Sequence, residues 1–394
     1  MSQHIPFWQS SRIWRCLLLG LLLVVAPRPA PAASLTDVPR PVTDAAMRLV
    51  LYCSDFKATL DEQAVATLVD YVLASKNSTE YSLPESNRCY GAYYEFDTKI
   101  GFPRFMEYSY NPLVPSNITR PASLRYSIWS NPRHDMQKMP GSWTMVPPDG
   151  APVVLRGLQS DCDTPDLTTG VYHEYDLKRV LILMNHKGRQ VLISVSKQTE
   201  ESTVGKKGVI LGNDTDWTYF YSNEPGTMKS GLGWAKSYIY DYFSVAIYAE
   251  SGTSSTMVRA ATFQWLRAGW AGINFVKPGH ILAGMKRYAQ NAKTVIESPR
   301  LPAPGQFASV YQSFSSMPAS RLTGEYAALR QALRSSAVQA GKISKSEADK
   351  TQSNGEPSKE QMVQELMLEY LKKALGKPTP LEKQLPQPSS ATPP

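Results

Sequence analysis

The sequence predicts an α+β fold, in which a β-rich antiparallel meander forms a sandwich- or barrel-like core with flanking helices and a C-terminal helical tail. Three observations predict this fold class. An apolar hairpin lies at the centre of the chain, and short strand patterns separated by turn residues surround it between residues 153 and 263. After that segment, apolar residues recur at helical spacing.

The central hairpin covers residues 177–199 and can be given a register from its turn. If Lys187 and Gly188 are the loop residues, opposed side chains share a face. The pairs on that face are Val180 with Val195, Ile182 with Ile193, and Met184 with Val191. The other face carries Leu181, Leu183, Leu192 and Ser194. A ribbon that is apolar on both faces is predicted to lie inside a sheet rather than at its edge.

Further strand candidates precede and follow the hairpin at short intervals. Turn-forming residues separate them, for example Gly212-Asn213-Asp214 and Pro225-Gly226. This rhythm is typical of antiparallel strands joined in chain order. The candidates are residues 153–158, 171–177, 208–211, 217–222, 234–240 and 244–250.

Before residue 150 the sequence predicts three short strands and one helix. The strands are residues 47–53, 90–96 and 105–110, which are apolar or aromatic runs. The helix is predicted to begin with Thr59 as its N-cap, because Thr59 and Glu62 have the spacing of a capping box ahead of an apolar helical pattern.

Three helices are predicted after residue 262. The first carries an apolar stripe from Ile281 to Val295, and the second carries one from Leu322 to Leu333. Residues 342–357 are polar and predict a flexible linker. Ser358 caps the third helix, residues 358–375, whose apolar face is too wide to stay solvated. We expect this helix to dock on the core, on a protein partner or on a membrane surface.

The chain begins with the pattern of a secretory signal peptide over residues 1–33. Basic residues precede an apolar run at 16–26, and small residues follow it, so cleavage is expected after Ala32 or Ala33. The run is too short to span a membrane. The sequence therefore predicts an exported protein, periplasmic or extracellular.

The predicted organisation follows from these elements. A β-rich core covers residues 34–300 and is divisible into an N-terminal α+β part, 34–150, and a meander part, 151–300. A helical segment follows at 301–341. Residues 342–394 contain the linker, the amphipathic helix and a proline-rich tail that is predicted to be disordered.

Charge and cysteine content limit the partners. The net charge of +8 is mild for 394 residues and does not indicate a nucleic-acid partner. No stretch of the mature sequence predicts a transmembrane segment. Because an exported chain meets oxidising conditions, we expect a disulfide, and sequence proximity favours Cys53 with Cys89.

Two carboxylates are candidates for catalysis. Glu174 and Asp176 lie two apart on a predicted strand, so both project from one face, and His173 precedes them. Paired carboxylates can serve glycoside hydrolysis as acid and nucleophile or base. A solvated strand face explains the same pattern.

Two aspartate-rich loops are candidates for calcium binding. Asp214 and Asp216 lie in one, and Asp161 and Asp163 lie in the other. Calcium requires several oxygen ligands. Neither loop has the twelve-residue pattern of a dedicated calcium loop, and turn chemistry explains these residues equally well. No other cofactor is predicted.

Aromatic residues alternate on two predicted strands. Trp217, Tyr219 and Tyr221 share one strand face, and Trp234 and Tyr238 share another. Core packing is the simpler interpretation, and an aromatic cleft for a sugar or a lipid is the functional one.

These observations predict an exported, non-catalytic protein that binds a ligand through its sheet or a partner through the helix at 358–375. The alternative is a secreted hydrolase, glycosidase-like or other, that uses carboxylates of the central sheet or the aspartate loops.

Overall fold

The computed structural model describes residues 38–75, 79–133, 136–229, 233–252, 256–346 and 357–387, and these described residues form one compact unit. The predicted signal peptide lies outside these ranges. The predicted fold class is confirmed, since the protein is α+β with an antiparallel sheet curled into a half-barrel.

The strands are numbered here in chain order. They are β1 (Glu80–Ser86), β2 (Cys89–Thr98), β3 (Leu124–Ser130), β4 (Val153–Asp163), β5 (Val171–Tyr172), β6 (Glu174–His186), β7 (Arg189–Gln198), β8 (Lys206–Ile210), β9 (Tyr219–Pro225), β10 (Thr227–Lys229), β11 (Gly233–Ala235), β12 (Ser237–Ser251), β13 (Met257–Trp270) and β14 (Ile273–Asn274).

Nine of the described strands form the main sheet, in the order β1-β2-β13-β12-β7-β6-β4-β3, with β14 paired to β13. All neighbours in this sheet are antiparallel. From β3 to β13 the order follows the chain, apart from β5 and β8–β11, which form two small separate sheets. The N-terminal hairpin β1–β2 pairs with the far side of β13, so strands from the beginning of the chain extend the sheet beyond the meander.

The central hairpin has the predicted register. Val180 pairs with Val195, and His186 pairs with Arg189 across the turn. Lys187 and Gly188 both have positive φ, 53° and 80°, which is the conformation of a type I′ turn. The hairpin lies between β12 and β4, so it is interior to the sheet, as its two apolar faces predict.

The helices are α1 (Arg40–Ser54), α2 (Glu62–Ala74), α3 (Phe102–Ser109), α4 (Pro278–Ile296), α5 (Pro304–Ser315), α6 (Ala319–Gln339) and α7 (Lys359–Leu375), with a short 3₁₀ turn at Asp214–Asp216. None of the helices in the described ranges combines the length and the apolar composition that crossing a membrane would need.

The two faces of the sheet bury two separate cores. Helices α1 and α2 cover one face, which we call the α1–α2 face, and there they pack on Val180, Ile182 and Ile193. The opposite face packs its leucines against residues from α3 to α7 and from β9. Alternation along each strand sends successive side chains to different cores.

Helix α7 lies inside the second core. Its apolar side chains from Val363 to Leu371 are buried, and so are Gln364, Glu365 and Lys372. It packs on α5, α6 and β3. Of the three docking possibilities that the sequence leaves open, the structure shows the first. Residues 377–387, the start of the predicted disordered tail, also pack here, since Lys373 Nζ donates to the carbonyls of Glu382 and Leu385 at 2.7 and 2.9 Å.

Gln364 of α7 makes paired contacts with the outermost strand, β3. Its side-chain Oε1 accepts a hydrogen bond from Ser127 N at 2.9 Å, and its Nε2 donates to Ser127 O at 2.8 Å. Asn117 Nδ2 donates to the Gln364 carbonyl at 2.9 Å and holds the helix there. The polar groups that α7 buries are therefore hydrogen-bonded.

Three predicted N-terminal features are wrong. Residues 47–53 belong to α1, whose buried residues recur at helical spacing from Val42 to Cys53. Residues 105–109 belong to α3 rather than to a strand. Short apolar runs cannot be assigned by periodicity alone. The N-cap of α2 lies two residues later than predicted, at Asp61 instead of Thr59, and Asp61 accepts a hydrogen bond from Ala64 N at 2.9 Å.

The predicted Cys53–Cys89 disulfide is also absent. Cys53, Cys89 and Cys162 are free and buried. The thiol of Cys53 lies 3.4 Å from the carbonyl of Lys178, and that of Cys89 lies 3.6 Å from the carbonyl of Asn87. Burial raises the pKa of Cys53 to about 12, so this thiol is unreactive in the folded protein. Proximity in sequence failed because the two thiols pack against different segments, that of Cys53 against β6 and β7 and that of Cys89 against Asn87 and β12.

Candidate functional site

A cleft of about 600 Å³ opens on the face of the sheet opposite α1 and α2. Its walls come from the segment between α3 and β3, from β3, β4 and β6, and from α5 and α7. Its charged lining residues are Arg120, Lys138, Arg179 and Glu360. We call it the Arg120–Arg179 cleft. Its volume is within the range of small-molecule sites, which is roughly 300–1,000 Å³.

Arg179 forms the floor of the cleft on β6. Only 6% of its surface is exposed. One guanidinium nitrogen donates to Ser194 Oγ at 2.7 Å, and another donates to Ser196 Oγ. The Nε atom is buried and has no hydrogen-bond partner within the described residues. Because β6 and β7 are paired at Arg179 and Ser196, the hairpin register itself holds this guanidinium in place.

Arg120 lies on the neighbouring wall, just before Pro121. Its guanidinium carbon lies 5.8 Å from the ring centroid of Tyr288, and Tyr110 also lines this part of the cleft. Aromatic faces attract a guanidinium but do not neutralise it. The side chain of Arg120 forms no ion pair within the described part of the chain.

Asp161 is the acidic group behind this floor. It is 5% exposed, and its Oδ1 accepts a hydrogen bond from Gln159 Nε2 at 2.7 Å. Burial raises the pKa of Asp161, while hydrogen bonding and the charge of Arg179 oppose that rise. Gln159 lines the cleft, and Asp161 does not.

Part of the cleft lining is apolar. Its apolar residues include Val114, Ile128, Trp129 and Met139. The ring of Trp129 lies against Gly157 of β4, where an added Cβ would lie 2.2 Å from Trp129 Cζ2. Glycine is therefore needed at 157 for Trp129 to occupy this part of the lining. A ligand with both a polar and an apolar part would match this mixed lining.

Helices α5 and α7 supply the rim. Tyr311 Oη donates to Glu360 Oε2 at 2.9 Å, and Gln364 Nε2 donates to Glu360 Oε1 at 2.9 Å. The carboxylate at the rim is therefore already hydrogen-bonded within the protein. Lys138 at the same opening is exposed.

The predicted catalytic carboxylates do not line this cleft. Glu174 Oε1 pairs with Lys206 Nζ at 2.9 Å, and Asp176 is exposed and accepts a hydrogen bond from Ser160 Oγ. His173 Nε2 lies 3.4 Å from Ser237 Oγ. His173 lies between β5 and β6 and does not line the cleft either.

The predicted aromatic site is largely core. Trp217, Tyr219 and Tyr221 are at most 3% exposed. Trp217 Nε1 donates to Asn291 Oδ1 at 2.6 Å, and the guanidinium carbon of Arg125 lies 3.9 Å from the ring centroid of Tyr221. These rings pack the second core.

The second aromatic pair is not assembled as a cleft. Tyr238 lies on β12 and stacks on Tyr240 with 6.3 Å between the ring centroids. Trp234 lies on β11, and its side chain lies outside the described part of the structure.

The aspartates of the predicted calcium loops accept hydrogen bonds from other groups of the protein. Asp214 Oδ2 accepts a hydrogen bond from Arg287 Nε at 2.8 Å, and Asp216 Oδ2 accepts one from Asn213 N at 3.2 Å. Asp163 Oδ1 accepts a hydrogen bond from Tyr175 Oη at 3.0 Å. Across the described ranges, no group of three or more His, Cys, Asp or Glu side chains is placed to hold a metal ion.

Asp163 and His173 carry opposite pKa shifts and lie side by side. Asp163 N donates to the carbonyl of His173 at 3.0 Å. Burial raises the pKa of Asp163 to about 8, and burial lowers the pKa of His173 to about 4. The folded protein thus keeps Asp163 protonated and His173 neutral at pH values where the unfolded chain does not.

In the wild-type protein the free energy of unfolding should fall as pH rises, and we expect Asp163→Asn to remove this fall. Between pH 3.8 and about 8, the unfolded carboxyl is ionised while the folded one keeps its proton. The free energy of unfolding should therefore fall with pH, by up to about 1.4 kcal/mol per pH unit. Urea unfolding of wild type and variant at pH 4 to 8 checks this. A difference between them that is constant with pH would contradict it.

His173→Gln is the control with the opposite sign. Its folded pKa is depressed, so the wild-type free energy of unfolding should fall as pH drops from 6.5 to about 4, and this fall should be smaller in the variant.

Sequence reasoning missed the two arginines of the cleft. Arg179 alternates with Leu181 and Leu183 on β6, so the predicted register already placed it on their face, inside an apolar ribbon. A single arginine on an otherwise apolar strand face could have indicated a buried charge and therefore a candidate binding site. Arg120 has no comparable pattern around it, because folding brings it to the cleft from an irregular segment.

The fold and the cleft define an α+β protein with a half-barrel sheet and a polar cleft on one face. Neither a protein-family model nor a curated protein matches the chain.

Proposed function

We propose that the protein is an exported, non-catalytic binding protein whose ligand occupies the Arg120–Arg179 cleft. The observation that carries the proposal is a cleft of ligand size, about 600 Å³, whose lining combines charged and polar residues with apolar ones. The leader pattern at residues 1–33 supports export.

The two other expectations have less support. A hydrolase would use Glu174 and Asp176, which are engaged by Lys206 and Ser160 outside the cleft. A protein partner for residues 358–375 would have to replace the contacts that bury α7 in the core. Binding in the cleft requires neither rearrangement.

A probe-binding experiment tests the proposal. The neutral dye N-phenyl-1-naphthylamine should bind saturably at one site, because the cleft has apolar lining residues. Its fluorescence rises in apolar surroundings, which reports the binding. Ser116→Trp should abolish this binding, since Ser116 is a small, half-buried lining residue and the larger ring fills the cleft. Fluorescence titration measures both.

Ser336→Trp is the matched control. Ser336 is exposed on α6 and does not line the cleft, so this variant should bind the dye as wild type does. Near-UV circular dichroism checks that both variants fold. Absence of saturable binding, or equal binding by Ser116→Trp, would overturn the proposal. Turnover of 4-nitrophenyl glycosides that is lost in Glu174→Gln would favour the hydrolase.

A further inference from the structure

We infer that the cleft selects ligands bearing an anionic group, a carboxylate or a phosphate monoester, which Arg120 and Arg179 bind together. The inference rests on the proposed binding function and adds the chemical class of the ligand. It follows from three features: the charge of the lining, the contrast between two buried arginines, and the free donor of one of them.

The lining of the cleft is predominantly cationic. It contains Arg120, Lys138 and Arg179 against a single carboxylate, Glu360. That carboxylate accepts hydrogen bonds from Tyr311 and Gln364 at the rim and forms no ion pair with the arginines within the described residues. A field of one sign inside a concave site raises the local concentration of ligands of the other sign.

The two most buried arginines of the described chain differ in their partners. Arg125 is 4% exposed and Arg179 is 6% exposed. Arg125 is paired with Glu365 at 2.9 Å. Arg179 has two serine hydroxyls and no carboxylate at ion-pair distance among the described residues. Buried charges are ordinarily paired, so Arg179 lacks a counter-charge that a ligand entering the cleft would supply.

The geometry of Arg179 leaves a donor for that ligand. Each terminal nitrogen donates one hydrogen bond, to Ser196 or to Ser194, and each carries a second N–H that, among the described residues, is free for a ligand. A guanidinium fixed by two hydroxyls cannot rotate away, so the cost of ordering it has been met before binding. Asp161 does not line the cleft, and its Oδ1 accepts a hydrogen bond from Gln159. It forms no ion pair with either arginine of the cleft among the described residues, although burial raises its pKa and the charges of both arginines oppose that rise.

The apolar part of the lining adds a second requirement. Ile128, Trp129 and Met139 line the cleft together with the arginines. An anionic group alone would leave these apolar side chains exposed to water. We therefore expect a ligand with one anionic head and an apolar body, which buries apolar surface while its head binds the arginines.

Isothermal titration with three eight-carbon probes tests the inference. Octanoate and octyl phosphate should bind at least about tenfold more tightly than neutral octanamide, which is about 1.4 kcal/mol. Their relative affinities identify the preferred head group, carboxylate or phosphate. Arg179→Met should weaken octanoate binding at least about tenfold and leave octanamide binding unchanged.

Two further variants keep the test decisive. Arg120→Met should reproduce the effect, and it carries the test if Arg179→Met does not fold. Arg156→Met is the matched control: Arg156 lies on β4 but stacks on Tyr52 of α1, with its guanidinium carbon 4.0 Å from the ring centroid. It removes an equal charge on the α1–α2 face and should change neither affinity.

The outcomes separate the inference from the function on which it rests. If octanamide binds as tightly as octanoate and Ser116→Trp blocks both, the anion inference is overturned and the binding function stands. If none of the probes binds to the wild-type protein, both are overturned. An equal loss of octanoate affinity in Arg156→Met would also overturn the inference, since bulk charge would then explain it.

Discussion

Replacing Glu365 with leucine should lower the free energy of unfolding by about 3–5 kcal/mol. Glu365 Oε1 accepts hydrogen bonds from Arg125 Nε at 2.9 Å and from Tyr326 Oη at 3.0 Å. Both partners are buried, so the variant leaves the Arg125 guanidinium without a counter-charge or access to water. Urea unfolding monitored by tryptophan fluorescence measures the change.

The double variant Arg125→Met with Glu365→Leu should recover most of that stability. Apolar replacement of a whole buried ion pair is often neutral or stabilising, because desolvation of both charges is avoided. Asp70→Ala, which breaks the exposed pairs with His186 and Lys187, should cost less than about 1 kcal/mol. A single-variant loss no greater than that of Asp70→Ala would show that Arg125 finds other partners.

Truncation after Gly341 should abolish cooperative unfolding. It removes five α7 side chains that are at most 1% exposed: Val363, Leu366, Met367, Tyr370 and Leu371. Each contributes about 1.5–3 kcal/mol when buried, roughly 7–15 kcal/mol together. That is comparable to the whole stability of a domain, about 5–15 kcal/mol. Thermal melts followed by near-UV circular dichroism show the result.

A peptide of residues 357–387 supplied in trans should restore the transition. The matched control is the same peptide with Leu366→Asp and Leu371→Asp, which should fail to dock because charges would enter the apolar core. A truncated chain that keeps the wild-type melting transition would contradict the structural role of α7. It would instead favour a free helix available to a partner.

The central hairpin was predictable because three independent constraints agree there. The turn residues set the register, the alternation sets the faces, and the apolar content of both faces sets the interior position. Its observed pairs from Val180–Val195 to His186–Arg189 are those that the sequence predicts. The helix at 358–375 was predictable for a similar reason, since Ser358 and Gly376 mark its two ends.

Other features depend on contacts between distant segments, which a single sequence does not encode locally. Residues 47–53 are apolar enough for a buried strand or a buried helix, and packing against the sheet decided for a helix. The cleft joins Arg120, Arg179 and Glu360, which come from three parts of the chain. Glu174 and Asp176 share a strand, but Lys206 and Ser160 from other strands occupy them.

The amide of Gln364 has a consequence for association between copies of the protein. The outermost strand β3 offers backbone donors and acceptors of the kind that recruit a strand from another molecule. At Ser127 that opportunity is taken by a side chain that presents the same pair of groups as a peptide bond. Helix α7 therefore blocks the addition of a strand from another molecule at Ser127. We expect chains that lack α7 to aggregate through this edge.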